Sequence, residues 1–91
     1  KTTYYQEYGT FYINSGTLEI RNDLNYGSRA VDTYGAGESF NYEYIAEVYD
    51  SNHNFTNRYA VYESRSGETR YVYFMTVDSS GRHAMANYTV Y

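Results

Sequence analysis

Apolar and polar residues alternate with a period of two along most of the chain. The alternation is clearest in three segments that are rich in Tyr, Val, Phe and Thr, namely residues 39–49, 71–77 and 84–90. This pattern predicts β-strands that each bury one face, and these residue types favour strands. No segment carries the apolar stripe at spacings of three and four residues that an amphipathic helix requires. The sequence therefore predicts an all-β protein.

Turn-forming residues separate the predicted strands at short intervals. Asn14, Ser15 and Gly16 divide a strand around residues 8–13 from one around residues 17–21. Further polar segments mark the later turns: residues 22–28, 34–38, 50–57, 64–68 and 78–82. Gly, Asn, Asp and Ser form such turns through positive φ angles and side-chain hydrogen bonds to the backbone. About seven short strands joined by short loops predict a small barrel or sandwich.

The length of 91 residues predicts a single domain with a small hydrophobic core. The chain has no cysteine, so packing alone must hold that core together. One hypothesis assigns residues 1–3 to the remnant of a linker, and the sequence leaves open whether Tyr4 and Tyr5 belong to the barrel or to that linker. Residues 76–91 are expected to add a C-terminal hairpin.

Charge and hydropathy exclude two classes of partner. The formal net charge is −4, and Lys1 is the only lysine in the sequence. Binding to a phosphate backbone depends on clustered Lys and Arg, so we expect no nucleic-acid partner. No apolar run approaches the roughly 20 residues that a membrane-spanning helix needs, so we expect no membrane span.

The 15 tyrosines allow two interpretations. Tyrosine is a good strand former on half-buried faces, so the rings could simply stiffen the sheet. It is also enriched at recognition surfaces, because its rigid ring ends in a hydroxyl. A core this small cannot bury all 15 rings. Rows such as Tyr8, Thr10 and Tyr12 therefore suit a groove for an extended peptide or a sugar chain, and this alternative stays open beside the structural one.

The sequence offers no catalytic constellation. His53 and His83 are far apart in the sequence and form no metal-binding motif, and there is no cysteine nucleophile. Glu43 and Glu47 alternate on one face of a predicted strand, which is typical of a solvated face rather than of an acid–base pair. We therefore expect a protein that is not an enzyme and that uses neither a cofactor nor a metal.

Five segments, taken in order, resemble the bacterial SH3 (SH3b) family, specifically its lysostaphin-like cell-wall-targeting type. Residues 8–12 resemble the N-terminal Tyr-Gly-Thr-Leu-Tyr strand of that type, and residues 17–22 resemble its Thr-Leu-x-Ile-Arg-Ser segment. Residues 33–42 resemble Thr-Tyr-x-Ala-Gly-x-x-x-x-Tyr, residues 59–62 stand in the place of Trp-x-x-Tyr, and residues 66–71 resemble Ser-Gly-x-x-Arg-Tyr.

The resemblance implies a small SH3-like β-barrel attached to a secreted peptidoglycan hydrolase of a Gram-positive bacterium or its phage. Such a domain is not catalytic; it anchors the enzyme on the cell wall, often through the peptide cross-bridge of peptidoglycan. Carried over by motif, the ligand-binding residues are Gln6, Tyr8, Thr10, Tyr12, Tyr44, Ala46, Tyr59 and Tyr71. We therefore expect a monomeric module, in one or several tandem copies, that binds the stem peptide or cross-bridge.

Four of these positions depart from the family pattern. Tyr59 replaces a tryptophan, and Gln6 replaces a shorter amide. Tyr44 stands where the family has an acid, and Ala46 where it has a larger side chain. A groove changed at these points need not hold an oligoglycine bridge, and our hypothesis is a bridge that contains alanine or serine. The acidic charge tells against a teichoic-acid phosphate as the ligand.

Two other functions remain open from the sequence. The chain could be a structural or adhesive repeat of a bacterial surface protein, whose tyrosines pack against neighbouring copies. It could also be a glycan-binding module that recognises sugar strands without peptide.

Overall fold

The computed structural model describes residues 1–24 and 29–91, so part of the polar loop predicted over residues 22–28 lies outside the described residues. The described residues contain eight strands and no helix. The strands are β1 (Thr2–Ser15), β2 (Thr17–Arg21), β3 (Ala30–Gly35), β4 (Ser39–Tyr49), β5 (Phe55–Glu63), β6 (Thr69–Asp78), β7 (Gly81–Ala84) and β8 (Asn87–Val90). No helix in this part of the chain could therefore cross a membrane.

All strands pair antiparallel in one curled sheet, in the order β3-β2-β6-β5-β4-β1-β8. β7 lies beside the second half of β6. The curled sheet forms a half-barrel, and the predicted all-β, SH3-like fold is confirmed. The strands predicted over residues 17–21 and 39–49 coincide with β2 and β4.

β1 is longer than the sequence predicted. It begins at Thr2 rather than near Tyr8, and residues 2–6 pair with the second half of β4. Tyr4 and Tyr5 therefore lie in the sheet. A β-bulge between Gln6 and Gly9 places two residues of β1 opposite one residue of β4, which bends the strand.

The tail forms two strands where the alternation predicted one over residues 84–90. β7 makes a hairpin with the end of β6, and β8 then pairs with β1 on the other side of the sheet. The reason lies in the available edges: β2 already pairs with residues 71–73, so only the second half of β6 can accept β7. The predicted polar tip over residues 50–57 is also shorter, because β5 begins at Phe55.

Phe11 of β1 is the centre of an aromatic core. Its ring stacks on Phe40 with a centroid distance of 5.2 Å and contacts Phe74 at 4.9 Å and Tyr88 at 5.0 Å. The phenol of Tyr42 packs over Gly9, where a Cβ would come within 2.8 Å of that ring. The close approach of Tyr42 explains why this position of β1 is a glycine.

Glu47 is buried, contrary to the solvated face predicted for it. Only 5% of its surface is exposed, whereas Glu43 is exposed. The alternation in β4 reverses opposite the bulge, so Tyr42 and Ile45 both face the core. Glu47 thereby falls on the inner side of the sheet, where it needs hydrogen-bond partners.

Candidate ligand-binding face

Two rows of side chains cross five adjacent strands on one face of the sheet. Directly opposed residues of antiparallel strands project from the same face, so the pairing register identifies each row. From β1 to β2, the first row is Tyr4, Ala46, Tyr59, Tyr73 and Glu19, and the second is Gln6, Tyr44, Val61, Tyr71 and Arg21. We term these ten residues, together with Tyr8, Thr10 and Tyr12, the tyrosine face.

The last three members follow along β1 from its bulge onwards. Tyr8, Thr10 and Tyr12 alternate with core residues such as Phe11, so they project away from the core. Gln6 Nε2 donates a hydrogen bond to Tyr8 Oη at 2.8 Å, which connects the bulge to the part of β1 before it. All eight residues assigned from the sequence therefore lie on one continuous face.

The tyrosine face has exposed rings above a buried floor. Tyr8 and Tyr4 stand out most, with 71% and 53% of their surface exposed. Ala46 is fully buried and Tyr59 nearly so, and Leu24 is among the residues that pack against them. Ala46 is therefore not accessible to a ligand, and its small side chain allows neighbouring rings to pack over it.

The side chains of Tyr4 and Tyr71 interact across the two strands between them. Burial raises the pKa of Tyr71, and the contact with Tyr4 raises it further. Burial also raises the pKa of Tyr59, against the nearby charge of Arg21, which lowers it. These phenols are therefore neutral at physiological pH and can both donate and accept hydrogen bonds.

Five residues belong to the face but were not among those assigned from the sequence, namely Tyr4, Val61, Tyr73, Glu19 and Arg21. The sequence alone could have assigned Tyr4 to this face, because Tyr4 continues the alternation of Gln6 and Tyr8 towards the N-terminus. Val61 and Tyr73 enter through cross-strand register, which a single sequence does not display.

One cluster outside the face contains Asp, Ser and His but lacks catalytic geometry. Ser80 Oγ and Asp78 Oδ1 both contact Nε2 of His83, at 2.8 Å and 3.0 Å. A catalytic triad instead places the acid on the other ring nitrogen. The hydrogen bonds from Ser80, with a further one from His83, lower the pKa of Asp78 to about 2. These hydrogen bonds stabilise the turn between β6 and β7. Within residues 1–24 and 29–91, no group of three or more acidic, His or Cys side chains could hold a metal ion.

No protein-family model matches the sequence, and no curated protein matches it. Among solved structures, the chain superposes on Ly7917, crystallised with the hydrolysing product of MDP, with a TM-score of 0.76 and 29% identity. That match covers 99% of this chain and 36% of the other, so the chain spans about a third of the length of Ly7917.

Two further matches are to isolated domains. The cell wall targeting domain of the peptidoglycan hydrolase ALE-1 gives a TM-score of 0.73 at 17% identity, covering 99% of this chain and 86% of that one. The lysostaphin SH3b P4-G5 complex gives 0.72 at 16% identity, covering 97% and 91%. The likeness includes the C-terminal tail, which the sequence resemblance did not reach. The chain thus has the fold of the lysostaphin-like SH3b cell-wall-targeting domains, as its sequence resemblance predicted.

Proposed function

We propose that the chain is a non-catalytic, secreted cell-wall-binding domain that holds a peptidoglycan hydrolase on the wall. In this proposal the peptide cross-bridge of peptidoglycan binds on the tyrosine face. One observation carries the proposal: the tyrosine face, with exposed rings at Tyr4, Tyr8 and Tyr44, lies on a fold shared with solved cell-wall-targeting domains.

The polar groups of the face suit a peptide backbone. Tyr8 Oη accepts a hydrogen bond from Gln6, so its own hydrogen is available to a ligand carbonyl. Thr10 Oγ1 donates to Asn41 Oδ1 at 2.7 Å, which leaves lone pairs on Oγ1 to accept from a ligand N–H. An extended peptide presents both groups in alternation, so it can satisfy this donor and this acceptor together.

The charge of the face suits an uncharged backbone. Glu19 and Arg21 form an ion pair at 2.7 Å, and the other members of the face carry no charge at neutral pH. We therefore expect binding that changes little with salt. The small area predicts a dissociation constant in the micromolar to millimolar range, roughly, which tandem copies or the dense wall would strengthen through avidity.

Co-sedimentation with purified, teichoic-acid-free peptidoglycan tests the proposal. The wild type is compared with Tyr8→Ala, which removes an exposed ring, and with Tyr71→Phe, which removes only the hydroxyl that meets Tyr4. Val90→Ala is the control. Val90 is exposed like Tyr12, but it lies directly opposite the core residue Phe11, so its side chain is on the other face of the sheet. Circular dichroism confirms that each variant folds.

We expect the wild type and Val90→Ala to sediment with walls of particular bridge types, and both tyrosine variants to sediment less. If no wall retains the wild type, the proposal is wrong, and concentration-dependent self-association would favour a structural module. Retention by glycan strands that have been stripped of peptide would favour a glycan-binding module instead.

A further inference from the structure

The outer edge of β3 is the longer of the two open ends of the sheet. Among the described residues, β3 and β8 each have a neighbouring strand on one side only. β3 has six residues, whereas β8 has four. An unpaired edge presents backbone N–H and C=O groups that can pair with a strand of another molecule, and very short edge strands limit this pairing. β3 is therefore the end of the sheet that most needs protection from a second copy of the chain.

The residues of β3 favour strand pairing. Val31, Thr33 and Tyr34 are good strand formers, and Val31 and Thr33 are exposed. Pairing with residues 17–20 of β2 already holds this backbone extended. A second β3 strand could therefore add to the edge in antiparallel fashion and continue the sheet across two molecules.

The hydrogen bonds at the end of β3 identify the backbone groups that point away from β2. The N–H of Gly35 donates to Glu38 Oε1 at 2.7 Å, and the carbonyl of Gly35 accepts from the N–H of Glu38 at 3.0 Å. Gly35 thus directs both groups away from its partner Thr17 in β2. Because this direction alternates along an antiparallel strand, the N–H and C=O of Thr33 also point outward.

Acidic side chains occupy both of these outward N–H groups. Asp32 Oδ1 accepts a hydrogen bond from the N–H of Thr33 at 2.8 Å, just as Glu38 accepts one from the N–H of Gly35. At the other end of the strand, Val31 lies in a bulge and opposes no residue of β2. A bulge disrupts the regular spacing that a further strand would need. The edge therefore offers the carbonyl groups of an approaching strand no free N–H at Thr33 or Gly35.

We infer that Asp32 and Glu38 prevent two copies of the chain from pairing along β3, because their carboxylates cap the N–H groups that such pairing needs. This protection matters wherever copies are linked in tandem, since a short flexible linker raises their effective concentration to roughly the millimolar range. Glu38 also closes the turn between β3 and β4, so Asp32, which caps the middle of the strand, is the more specific of the two. The tyrosine face includes no residue of β3, so the inference is independent of the proposed function.

Sedimentation equilibrium at chain concentrations up to about 1 mM tests the inference, because this range covers weak dimers. Asp32→Ala combined with Glu38→Ala removes both caps. Asp32→Asn combined with Glu38→Gln is the matched control, because it removes the same two charges and keeps an acceptor oxygen at each position. A third variant adds Thr33→Pro to the alanine pair and so removes the outward N–H, a change that an edge strand tolerates. Circular dichroism confirms that each variant folds, and Asp32→Ala alone replaces the alanine pair if the loss of Glu38 prevents folding.

We expect the wild type and the amide control to stay monomeric, and the alanine variant to dimerise with a dissociation constant roughly in the micromolar to millimolar range. In the ¹⁵N-labelled alanine variant, the NMR signals of residues 31–35 should shift with concentration, and the addition of Thr33→Pro should restore the monomer. The inference would be overturned by a wild type or an amide control that dimerises, or by an alanine variant that stays monomeric. A dimer that persists with Thr33→Pro would overturn it as well, because the contact would then lie elsewhere.

Discussion

Replacing Glu47 by glutamine tests how the sheet holds the N-terminal half of β1. Glu47 Oε1 accepts hydrogen bonds from Tyr5 Oη at 2.7 Å and Tyr49 Oη at 3.0 Å, and Oε2 accepts one from Arg58 Nε at 2.5 Å. Glutamine has the same shape and can keep the oxygen that the tyrosines share. Its amide nitrogen, however, replaces the oxygen that pairs with Arg58, so this contact is lost together with the charge.

The loss in stability can be estimated from these contacts. A hydrogen bond to a charged group contributes about 1.5–3 kcal/mol, and breaking a fully buried ion pair costs about 3–5 kcal/mol. The Arg58 side chain is 26% exposed and can turn partly to water, which favours the lower values. We expect Glu47→Gln to lower the free energy of unfolding by about 2–3 kcal/mol, out of about 5–14 kcal/mol for a chain of this length.

Urea unfolding followed by circular dichroism measures this difference. With a slope of about 1–1.5 kcal/mol per molar urea, the midpoint of Glu47→Gln should fall by about 2 M. Glu43→Gln is the matched control, because Glu43 is exposed on the same strand, and it should change stability by no more than about 0.5 kcal/mol. A loss below about 1 kcal/mol for Glu47→Gln would refute the role assigned to this carboxylate.

The pH dependence provides a second check on the same variant. Burial raises the pKa of Glu47, but the hydrogen bonds from Tyr5, Tyr49 and Arg58 outweigh it, and the pKa lies below the ordinary value of 4.5. At acid pH the unfolded chain therefore binds more protons than the native one at this group, so its contribution is complete above pH 4.5 and is lost as the pH falls further. The difference in stability between the wild type and Glu47→Gln should accordingly narrow as the pH falls below 4.5, and a constant difference would contradict the argument.

Two further predictions concern the glycine of β1 and the buried tyrosines. Gly9→Ala should cost about 1–3 kcal/mol, because the new Cβ would lie 2.8 Å from the Tyr42 ring and 2.9 Å from the carbonyl oxygen of Tyr91; an unchanged melting temperature would contradict this. Burial raises the pKa values of Tyr34 and Tyr42 well above 10, and the hydrogen bond with Glu47 raises that of Tyr5 to about 12. The stability that these phenols provide is therefore complete below pH 10 and is lost at higher pH. In an alkaline titration, the absorbance of phenolate should accordingly rise in two stages, and the second stage should coincide with unfolding. A single stage at the ordinary pKa would contradict that packing.

The sequence predicted best those features that depend on one strand at a time. The alternation over residues 39–49 and the turn before residue 17 predicted β4 and β2 with their observed bounds, and alternation along β1 aligned Tyr8, Thr10 and Tyr12 on one face. Features that depend on a partner strand were missed. The division of the tail into β7 and β8 follows from which edges remain open, and the inclusion of Val61 and Tyr73 in the face follows from register.

The bulge in β1 explains why Tyr42 and Tyr44, two residues apart in β4, lie on opposite sides of the sheet. In β4, strict alternation would place Tyr42 and Tyr44 on the same side of the sheet, so either a core ring would be exposed or a ring of the tyrosine face would be buried. Because two residues of β1 oppose one residue of β4, the sides exchange between these two tyrosines. Tyr42 therefore packs into the core and Tyr44 opens onto the tyrosine face, and the same exchange turns Glu47 inward. The burial of Glu47 and the continuity of the tyrosine face thus have the same physical cause, which is the bulge in β1.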